Sequence, residues 1–462
     1  MKLRRLVVVL AALALVAGAC SSRGDDDAGS SGDGGGTTET TAASADPEGV
    51  TFGDVESPCG EGSGDNAAPT GPPEETQGIT ADSIAVGTIA DPGFSARPGL
   101  NQEIFDAGEA FTEWCNEQGG INGRQLDLTQ YDAKFTEYQT QIEAACTQEF
   151  AIVGDGAVQD NQWATTGAEC GLINVAGFSV TPERAGNAGD DPIEVRSVQP
   201  VPNPSDQFPA GGIQILKEEN PEAFENVGML YGDFQTTITQ FQRSKEAYEA
   251  LGAEIAYESG YNPAGEANWA PFATALKNAG VEWLNFVGEG ANLALLQQAM
   301  SEIDYSPTVT LQDANFYDPE YLAAAGEVAE GTYVRNSFVP FEEAADNKAT
   351  QDYIDMVEAV DGKVALLGAQ SVSGWLLFSQ SVKECDDNGD LTRTCVLEAA
   401  ASVEDWTGNG LHAPGDPSTN SGTECVALLQ VQDGAFVRHI PEEGFDCSED
   451  YVVSLEGNYT SG

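Results

Sequence analysis

The sequence predicts an α/β protein with two doubly wound lobes, each built on a parallel sheet with helices on both faces. Three observations lead to this prediction. Short apolar runs alternate with segments whose apolar residues recur at helical spacing. Gly and Asn-Gly turns separate many of these segments, and the alternation occurs twice, divided by a cluster of prolines at Pro200, Pro202 and Pro204. A chain of 462 residues can build two such cores.

The first 77 residues predict an export signal and a disordered tether. A basic start (MKLRR) precedes an apolar run, Leu6 to Val16, which is too short to span a membrane. The small residues before Cys20 resemble a bacterial lipobox, with Ala17 at the position of the usual Leu. We expect a signal peptide at 1–19, lipidation of Cys20 and a disordered linker over 20–77; an ordinary signal peptide with an incidental Cys is the alternative.

The first series of elements begins with a buried strand at Ile84–Ile89 and a helix at Gln102–Glu117. Gly119 and Gly120 can end that helix, and Asn122-Gly123 turns the chain into the next strand. The remaining predictions for this series are strand 124–132, helix 136–149, strand 150–156, helix 161–170, strand 172–178 and strand 193–200.

The second series predicts helix 205–219, strand 226–233, helix 237–252, strand 253–261, helix 269–280, strand 282–290, helix 291–302 and strand 308–313. A return crossing at Gly331–Phe341, helices around Tyr353–Val360 and Ala369–Lys383, and a hairpin turning at Asp433-Gly434 follow. Four tryptophans fall within helical or strand patterns and are expected in the core: Trp163, Trp269, Trp283 and Trp375.

Three stretches in order carry a resemblance to a known family: "IAVGTIADPGF" with a helix and "CNEQGGINGRQLDL", then "FAIVGDGAVQDN", then "NVGMLYGDF" with a helix and "LGAEI". They resemble the type I periplasmic solute-binding proteins, in particular the leucine/isoleucine/valine-binding family of ABC importers, over roughly Gly78 to Val453. The resemblance implies two Rossmann-like lobes joined by three hinge crossings, near Pro200, Arg335 and Trp406, with the ligand in the cleft. Lobe 1 would comprise 78–200 with 336–405, and lobe 2 would comprise 201–335 with 406–455.

Eight cysteines remain when Cys20 is set aside, and an exported chain with an even number of them predicts four disulfides. The sequence leaves the connectivity open. We favour the pairs that are close in sequence, Cys385–Cys395 and Cys425–Cys447, followed by Cys146–Cys170 and Cys59–Cys115. Zinc is the rival interpretation, but the chain has no CxxC, and its two histidines, His412 and His439, lack ligand-like spacing to cysteines. We predict no metal site.

In open parallel sheets, ligands bind beyond the carboxyl ends of the strands. The loops at those ends are 91–95, 154–161 and 177–181 in lobe 1, and 231–237, 288–292 and 312–316 in lobe 2. The predicted ligand contacts in these loops are Phe94, Ala157, Val158, Gln159, Phe178, Ser179, Thr181, Tyr231, Glu289 and Asp313. Each aromatic residue among them, like Phe316, has packing in the core as its alternative role.

The resemblance implies that hydroxyl side chains of the later lobe 1 loops hold an amino-acid carboxylate and that an acid of lobe 2 holds the ammonium. Here apolar residues occupy much of the hydroxyl pattern, leaving Gln159, Ser179 and Thr181 as polar contacts. Asp313 is the best positional match to the acid, and Glu289 is the next. We therefore expect a small polar or amphipathic, amino-acid-like solute rather than a branched-chain amino acid in particular.

Other functions are disfavoured by composition and motifs. With 19 Lys and Arg against 75 Asp and Glu, the net charge is −56, which repels nucleic acid. The loops "GEGANL" and "GDGAVQ" lack the third glycine of a dinucleotide site, and no GxxxxGK[ST] occurs. The "DDNGD" at Asp386 lacks the pattern of a calcium loop. No GxSxG elbow is present. We predict no cofactor and no catalytic residue.

The predicted function is that of an extracytoplasmic substrate-binding lipoprotein of an ABC importer, anchored to the outer face of the bacterial cell membrane through Cys20. Its expected partners are a small-molecule solute and ABC permease subunits. A ligand-sensing module on the same fold, acting through a partner receptor, is the alternative. An enzyme is the third hypothesis.

Overall fold

The computed structural model describes residues 49–62, 66–457 and 459. The predicted signal peptide, Cys20 and the linker up to residue 48 lie outside the described residues. Within the described part of the chain, no helix combines the length and the apolar character needed to cross a membrane.

The first sheet has five strands, all parallel, in the order β4-β3-β5-β6-β7. Its strands and a short preceding hairpin are β1 Thr51–Phe52, β2 Val55–Glu56, β3 Ser83–Ala90, β4 Gln125–Asp132, β5 Ala151–Val153, β6 Ile173–Val175 and β7 Ser197–Val198. The helices in this part of the chain are α1 Pro73–Thr76, α2 Gln102–Glu117, α3 Tyr138–Ala145, α4 Pro182–Ala185 and α5 Pro192–Val195.

The second sheet has the order β10-β9-β11-β12-β13-β14-β15, and its first five strands run parallel. Its strands and their partners are β8 Gln207–Pro209, β9 Val227–Gly232, β10 Ile255–Tyr261, β11 Trp283–Val287, β12 Val309–Gln312, β13 Tyr333–Asn336, β14 Cys425–Gln432, β15 Ala435–Ile440, β16 Asp446–Cys447 and β17 Val452–Ser454. Strand β16 pairs with β14, and β17 pairs with β8. The helices here are α6 Gly211–Glu219, α7 Gln235–Ala250, α8 Ala270–Ala279, α9 Gly290–Ser301 and α10 Pro319–Ala325.

Three crossings join the two sheets, as the resemblance implied. After β13 the chain returns to the first sheet through α11 Lys348–Ala359, α12 Leu366–Asp387 and α13 Arg393–Ala401. Helix α12 packs on α2, β5 and β6, and α13 packs on β6 and β7. The chain then crosses back to form the hairpin β14–β15, which turns at Asp433-Gly434 as predicted. We call each sheet with its helices a lobe; the lobe limits given above stay predictions.

Three predicted elements of the sequence differ from those in the structure. The helix predicted over 161–170 is a single π-helical turn, Trp163–Gly167. The strand predicted over 193–200 begins as helix α5, because Pro192 stands at its first turn and the Asp191 carboxylate accepts the Ile193 N–H at 2.9 Å. The helix predicted over 205–219 begins only at Gly211, because 207–209 pair with β17.

The predicted linker is folded in its described residues, contrary to the expectation of disorder up to residue 77. Phe52 is fully buried, and the Gly53 N–H donates to the Asp352 carboxylate at 2.8 Å. A disulfide joins Cys59 to Cys115 on α2, and Arg393 donates to the Glu74 carbonyl at 2.9 Å. Composition predicted disorder here because few residues are apolar, but a covalent bond and one aromatic anchor order the segment.

All four predicted disulfides are confirmed: Cys59–Cys115, Cys146–Cys170, Cys385–Cys395 and Cys425–Cys447. Each shrinks the unfolded ensemble and typically stabilises a fold by about 2–4 kcal/mol. The four tryptophans predicted for the core are buried as well, with none more than 5% exposed.

A buried histidine ties the third crossing to α12. His412 lies with its Nε2 2.8 Å from the Ser373 hydroxyl, which also accepts the Trp406 indole N–H at 2.8 Å. Its Nδ1 lies 2.8 Å from the Ala413 carbonyl, which can only accept, so Nδ1 carries the proton and Nε2 accepts from Ser373. Burial lowers the pKa of His412 to about 4, so the ring is neutral near pH 7.

We expect this histidine to make stability depend on pH. The unfolded ring binds a proton near its ordinary pKa of 6.5, and the folded ring binds one only near 4. The neutral ring therefore makes its full contribution to folding stability at neutral pH, and this contribution is lost as the pH falls from 6.5 towards 4. The contribution lost between pH 7.5 and 5 is about 2 kcal/mol. Urea unfolding of His412→Gln should show a flatter pH slope than wild type. Equal slopes for the wild type and His412→Gln would contradict this assignment.

Candidate functional site

A cavity of about 230 Å³ lies between the two lobes. Lobe 1 contributes the loops after β5 and β6 together with α12, and lobe 2 contributes the loops after β11 and β12 together with α7. The crossings supply the rest of the wall. Its apolar lining includes Val158, Phe178, Val180, Val201, Pro202, Pro204, Phe286, Val287, Phe316 and Leu367. The position agrees with the carboxyl-end rule for parallel sheets.

Four of the ten predicted contacts line this cavity: Val158, Phe178, Glu289 and Asp313. The first two belong to lobe 1 and the last two to lobe 2, so both halves of the prediction reach the same space. Their role as ligand contacts stays a prediction.

Six predicted contacts lie elsewhere. Ala157 is fully buried in the core of lobe 1, and Ser179 is 1% exposed. The Thr181 hydroxyl donates to Asp160 at 2.5 Å, and the Tyr231 ring stacks on Phe241 with centroids 4.1 Å apart. The remaining two are the half-buried Gln159 and the aromatic Phe94. Phe94, Thr181 and Tyr231 thus take part in packing or internal hydrogen bonds, and the role of all six as ligand contacts stays a prediction.

A fully buried ionic cluster positions the two lobe 1 loops. Arg184 on α4 contacts Asp155 at 2.7 Å and Asp160 at 3.5 Å, and all three side chains are inaccessible. Its guanidinium also lies over the Trp163 ring, 5.6 Å from the centroid. Asp155 and Asp160 belong to the loop after β5, whereas Arg184 follows the loop after β6, so the cluster joins the two loops.

Asp160 adds a second connection between those loops. Its carboxylate accepts the backbone N–H groups of Val180 and Thr181, both at 2.9 Å. Burial raises the pKa of Asp160 to about 6, against the opposing effects of Arg184 and of these hydrogen bonds. Val180, which lines the cavity, is therefore held in place by a carboxylate behind it.

Asp91 performs a similar task at the end of β3. It is fully buried and accepts the N–H of Val158 at 2.7 Å and that of Phe135 at 2.6 Å. Lys134 and Phe135 both have positive φ, 46° and 73°, a conformation that side chains other than Gly rarely adopt. The hydrogen bond from Phe135 to Asp91 helps to hold this turn, and burial raises the pKa of Asp91.

The two acids predicted for the ligand ammonium each have an arginine partner. Asp313 contacts the Arg335 guanidinium at 2.6 Å, and Glu289 lies 3.7 Å from Arg97. Burial raises the pKa of Glu289, and Arg97 acts in the opposite direction. The sequence pointed to Arg335 only as a crossing, because an ion pair between residues 22 positions apart leaves no periodic signal.

The lobes contact each other around the cavity. Phe135 of lobe 1 stacks on Phe94, with centroids 4.5 Å apart, and meets Phe234 of lobe 2 edge-on at 5.1 Å. The Gln240 amide on α7 donates to the Val180 carbonyl at 2.8 Å. Val180 and Gln240 also line the cavity, and the partners in all these contacts lie far apart in the sequence.

Sequence reasoning also missed Gln370, which lines the cavity from α12 and is 7% exposed. A polar residue inside the apolar helix sequence "LLGAQSVSGW" was the available signal. Among the described residues, no cluster of three or more His, Cys, Asp or Glu side chains has an arrangement that could hold a metal ion.

The family model described as "Periplasmic binding protein" matches residues 97–435 of the chain. Among solved structures, the fatty acid ABC transporter substrate-binding protein from Thermomonospora curvata is similar at a TM-score of 0.67 and 17% identity, covering 81% of this chain and 95% of its own. A branched chain amino acid ABC transporter from Thermus thermophilus with bound valine gives 0.63 and 15%, covering 80% and 98%. A leucine binding protein from Thermotoga maritima gives 0.62 and 15%, covering 79% and 99%. No curated protein matches the chain.

Removing the arginine of the buried cluster should destabilise the fold. Arg184→Met leaves Asp155 and Asp160 buried without a counter-charge, so we expect the unfolding free energy to fall by roughly 3–5 kcal/mol at neutral pH. The deficit relative to wild type should shrink at pH 5, where protonation neutralises buried carboxylates. Denaturant unfolding of the wild type and Arg184→Met at neutral pH and at pH 5 measures the difference in unfolding free energy.

Arg97→Met is the matched control, because its ion pair is partly exposed and its loss should change stability by about 1 kcal/mol at most. Similar losses in the two variants, or a deficit in Arg184→Met that grows at pH 5, would show that the cluster does not act in this way.

Proposed function

The chain belongs to the periplasmic binding protein family, and we propose that it captures a small amphipathic solute between its lobes and delivers it to the permease of an ABC importer. The observation that carries this proposal is the cavity of about 230 Å³, which both lobes and the crossings line together. A site divided in this way is completed only when the lobes meet, so binding and closure are coupled. Binding alone suffices for this role.

The cavity wall supports a solute with a large apolar part. Most of the side chains that lobe 1 presents are apolar, among them Val158, Phe178, Val180 and Leu367. Pockets of this kind gain affinity from apolar burial and orientation from a few polar groups. Of the three solved structures described above, one is named for fatty acid and two for leucine or branched chain amino acids, which are all solutes with an apolar portion.

Filling the cavity should abolish binding. Val158 is half-buried at the wall, so Val158→Trp projects a large ring into the space without removing a core side chain. A thermal-shift screen against amino acids, amides, short acids and aromatics identifies a ligand through a rise of a few degrees in the midpoint. We expect Val158→Trp to lose that shift.

Val437→Trp is the control, because Val437 is 40% exposed on β15 and lies outside the cavity. It should retain the wild-type shift. A ligand that raises the midpoint of Val158→Trp as much as that of the wild type would place the binding site elsewhere and contradict this proposal.

We further propose that the mature protein is anchored through a lipid on Cys20, as the lipobox-like sequence before it predicts. Expressed in a bacterium that processes lipoproteins, the full chain should fractionate with membranes, and Cys20→Ser should appear in the soluble extracytoplasmic fraction. Co-purification with a permease would support import, whereas co-purification with a receptor kinase would favour the sensing alternative. Membrane association that Cys20→Ser leaves unchanged would contradict the anchor.

A further inference from the structure

The Gln370 carboxamide is buried at the cavity wall without a partner. Gln370 lies on α12 and is 7% exposed, and no described residue donates a hydrogen bond to its Oε1. A buried acceptor left unpaired is destabilising, so an unpaired one that faces a cavity indicates that a bound molecule donates to it.

The other carboxamides at the wall do not share this condition. Each has a hydrogen bond to the protein: Asn101 to Gly156, Asn203 to Ser179, Gln207 to Gly422, Gln240 to Val180, Asn315 to Gly288 and Asn336 to Phe338. Their side chains hold loops in place. Among the described residues that line the cavity, Gln370 is therefore the carboxamide without a hydrogen bond to the protein.

Lobe 1 offers little to an anionic ligand group. Three backbone N–H groups of its two cavity loops already donate to carboxylates, that of Val158 to Asp91 and those of Val180 and Thr181 to Asp160. The N–H groups of Gly177 and Phe178 donate to the Asp155 backbone carbonyl. Three buried carboxylates thus lie behind these loops, with Arg184 as the cation that contacts two of them. A ligand carboxylate would approach negative charge and find most of these donors taken.

Lobe 2 offers little to a cationic ligand group. Its two acids at the cavity are paired with arginines, Asp313 with Arg335 at 2.6 Å and Glu289 with Arg97 at 3.7 Å. A ligand ammonium would have to share either acid with a guanidinium. The charges at the cavity therefore compensate one another, and this arrangement fits a neutral ligand best.

Building on the proposed function, we propose that the cavity takes a neutral amphipathic solute with a carboxamide or lactam group, and that Gln370 determines this specificity. The Gln370 amide carries an acceptor oxygen beside a donor NH2. A primary carboxamide or a lactam presents the complementary donor and acceptor, so two hydrogen bonds form side by side. Leu367, one turn earlier on α12, and Phe178 face the same cavity and receive the apolar part.

Calorimetric titration of the wild-type protein with a matched series tests the ligand class. The probes are pentanamide and δ-valerolactam, with pentanoate, pentylamine and norvaline as charged counterparts of similar length. We expect an amide or the lactam to bind at least about tenfold more tightly than every charged probe, because a site built to hydrogen-bond one group rejects analogues that leave it unpaired.

Substitutions of Gln370 test its role in binding the amide group. Gln370→Met keeps length and removes both hydrogen bonds, and Gln370→Glu keeps an acceptor but loses the donor; each should weaken amide or lactam binding about tenfold or more. Gln380→Met, on the same helix outside the cavity, should bind as wild type does. Unchanged amide binding in Gln370→Met would overturn the role of this residue.

The two proposals fail separately. Tighter binding of pentanoate, pentylamine or norvaline than of the amides overturns the ligand class and leaves solute capture standing. Failure of both amide probes to bind at millimolar concentration also overturns the ligand class. Only the further absence of any binder in the broader thermal-shift screen would count against solute capture itself.

Discussion

Charge buried behind the cleft loops is the constraint on which the site depends. The loops after β5 and β6 are held by Asp155, Asp160 and Arg184, which are inaccessible and bond to one another or to backbone N–H groups. Buried charges of this kind are tolerated only when they are paired and hydrogen-bonded, and removal of one partner is strongly unfavourable. The loop geometry at the cavity is thus coupled to the core of lobe 1.

The buried carboxylates also limit which protein groups remain available to a ligand. Backbone donors that bind internal carboxylates, such as those of Val158 and Val180, are no longer free to receive an anion. The cavity surface then consists of apolar side chains, ion pairs that compensate each other, hydrogen-bonded carboxamides, hydroxyl groups such as those of Ser337 and Thr423, and the unpaired Gln370 amide. The same carboxylates that order the loops therefore also shape the chemistry of the ligand, and the fold's usual position for a site is retained with a different lining.

The interactions that stabilise each lobe differ in kind from those that join the two lobes. Three disulfides and the buried His412 network lie within lobe 1 or at its junction with a crossing, and the fourth disulfide, Cys425–Cys447, joins two strands of lobe 2. The contacts between the lobes include the meeting of Phe135 with Phe234, the bond from Gln240 to Val180 and the ion pair of Lys363 with Asp318 at 2.8 Å. A ligand that contacts both lobes adds to these contacts and favours the closed arrangement.

The sequence by itself determined the alternation of strands and helices, the two sheets, the hairpin at Asp433-Gly434 and the number of disulfides, because periodicity, turn residues and cysteine parity are local or countable properties. It also located the cavity loops, through the carboxyl-end rule. The tertiary structure decided which loop side chains face the cavity: Val158 does, whereas its neighbour Ala157 is in the core. It also paired Asp313 with Arg335 and left Gln370 without a partner, because such contacts join residues far apart in the chain and depend on how the lobes pack.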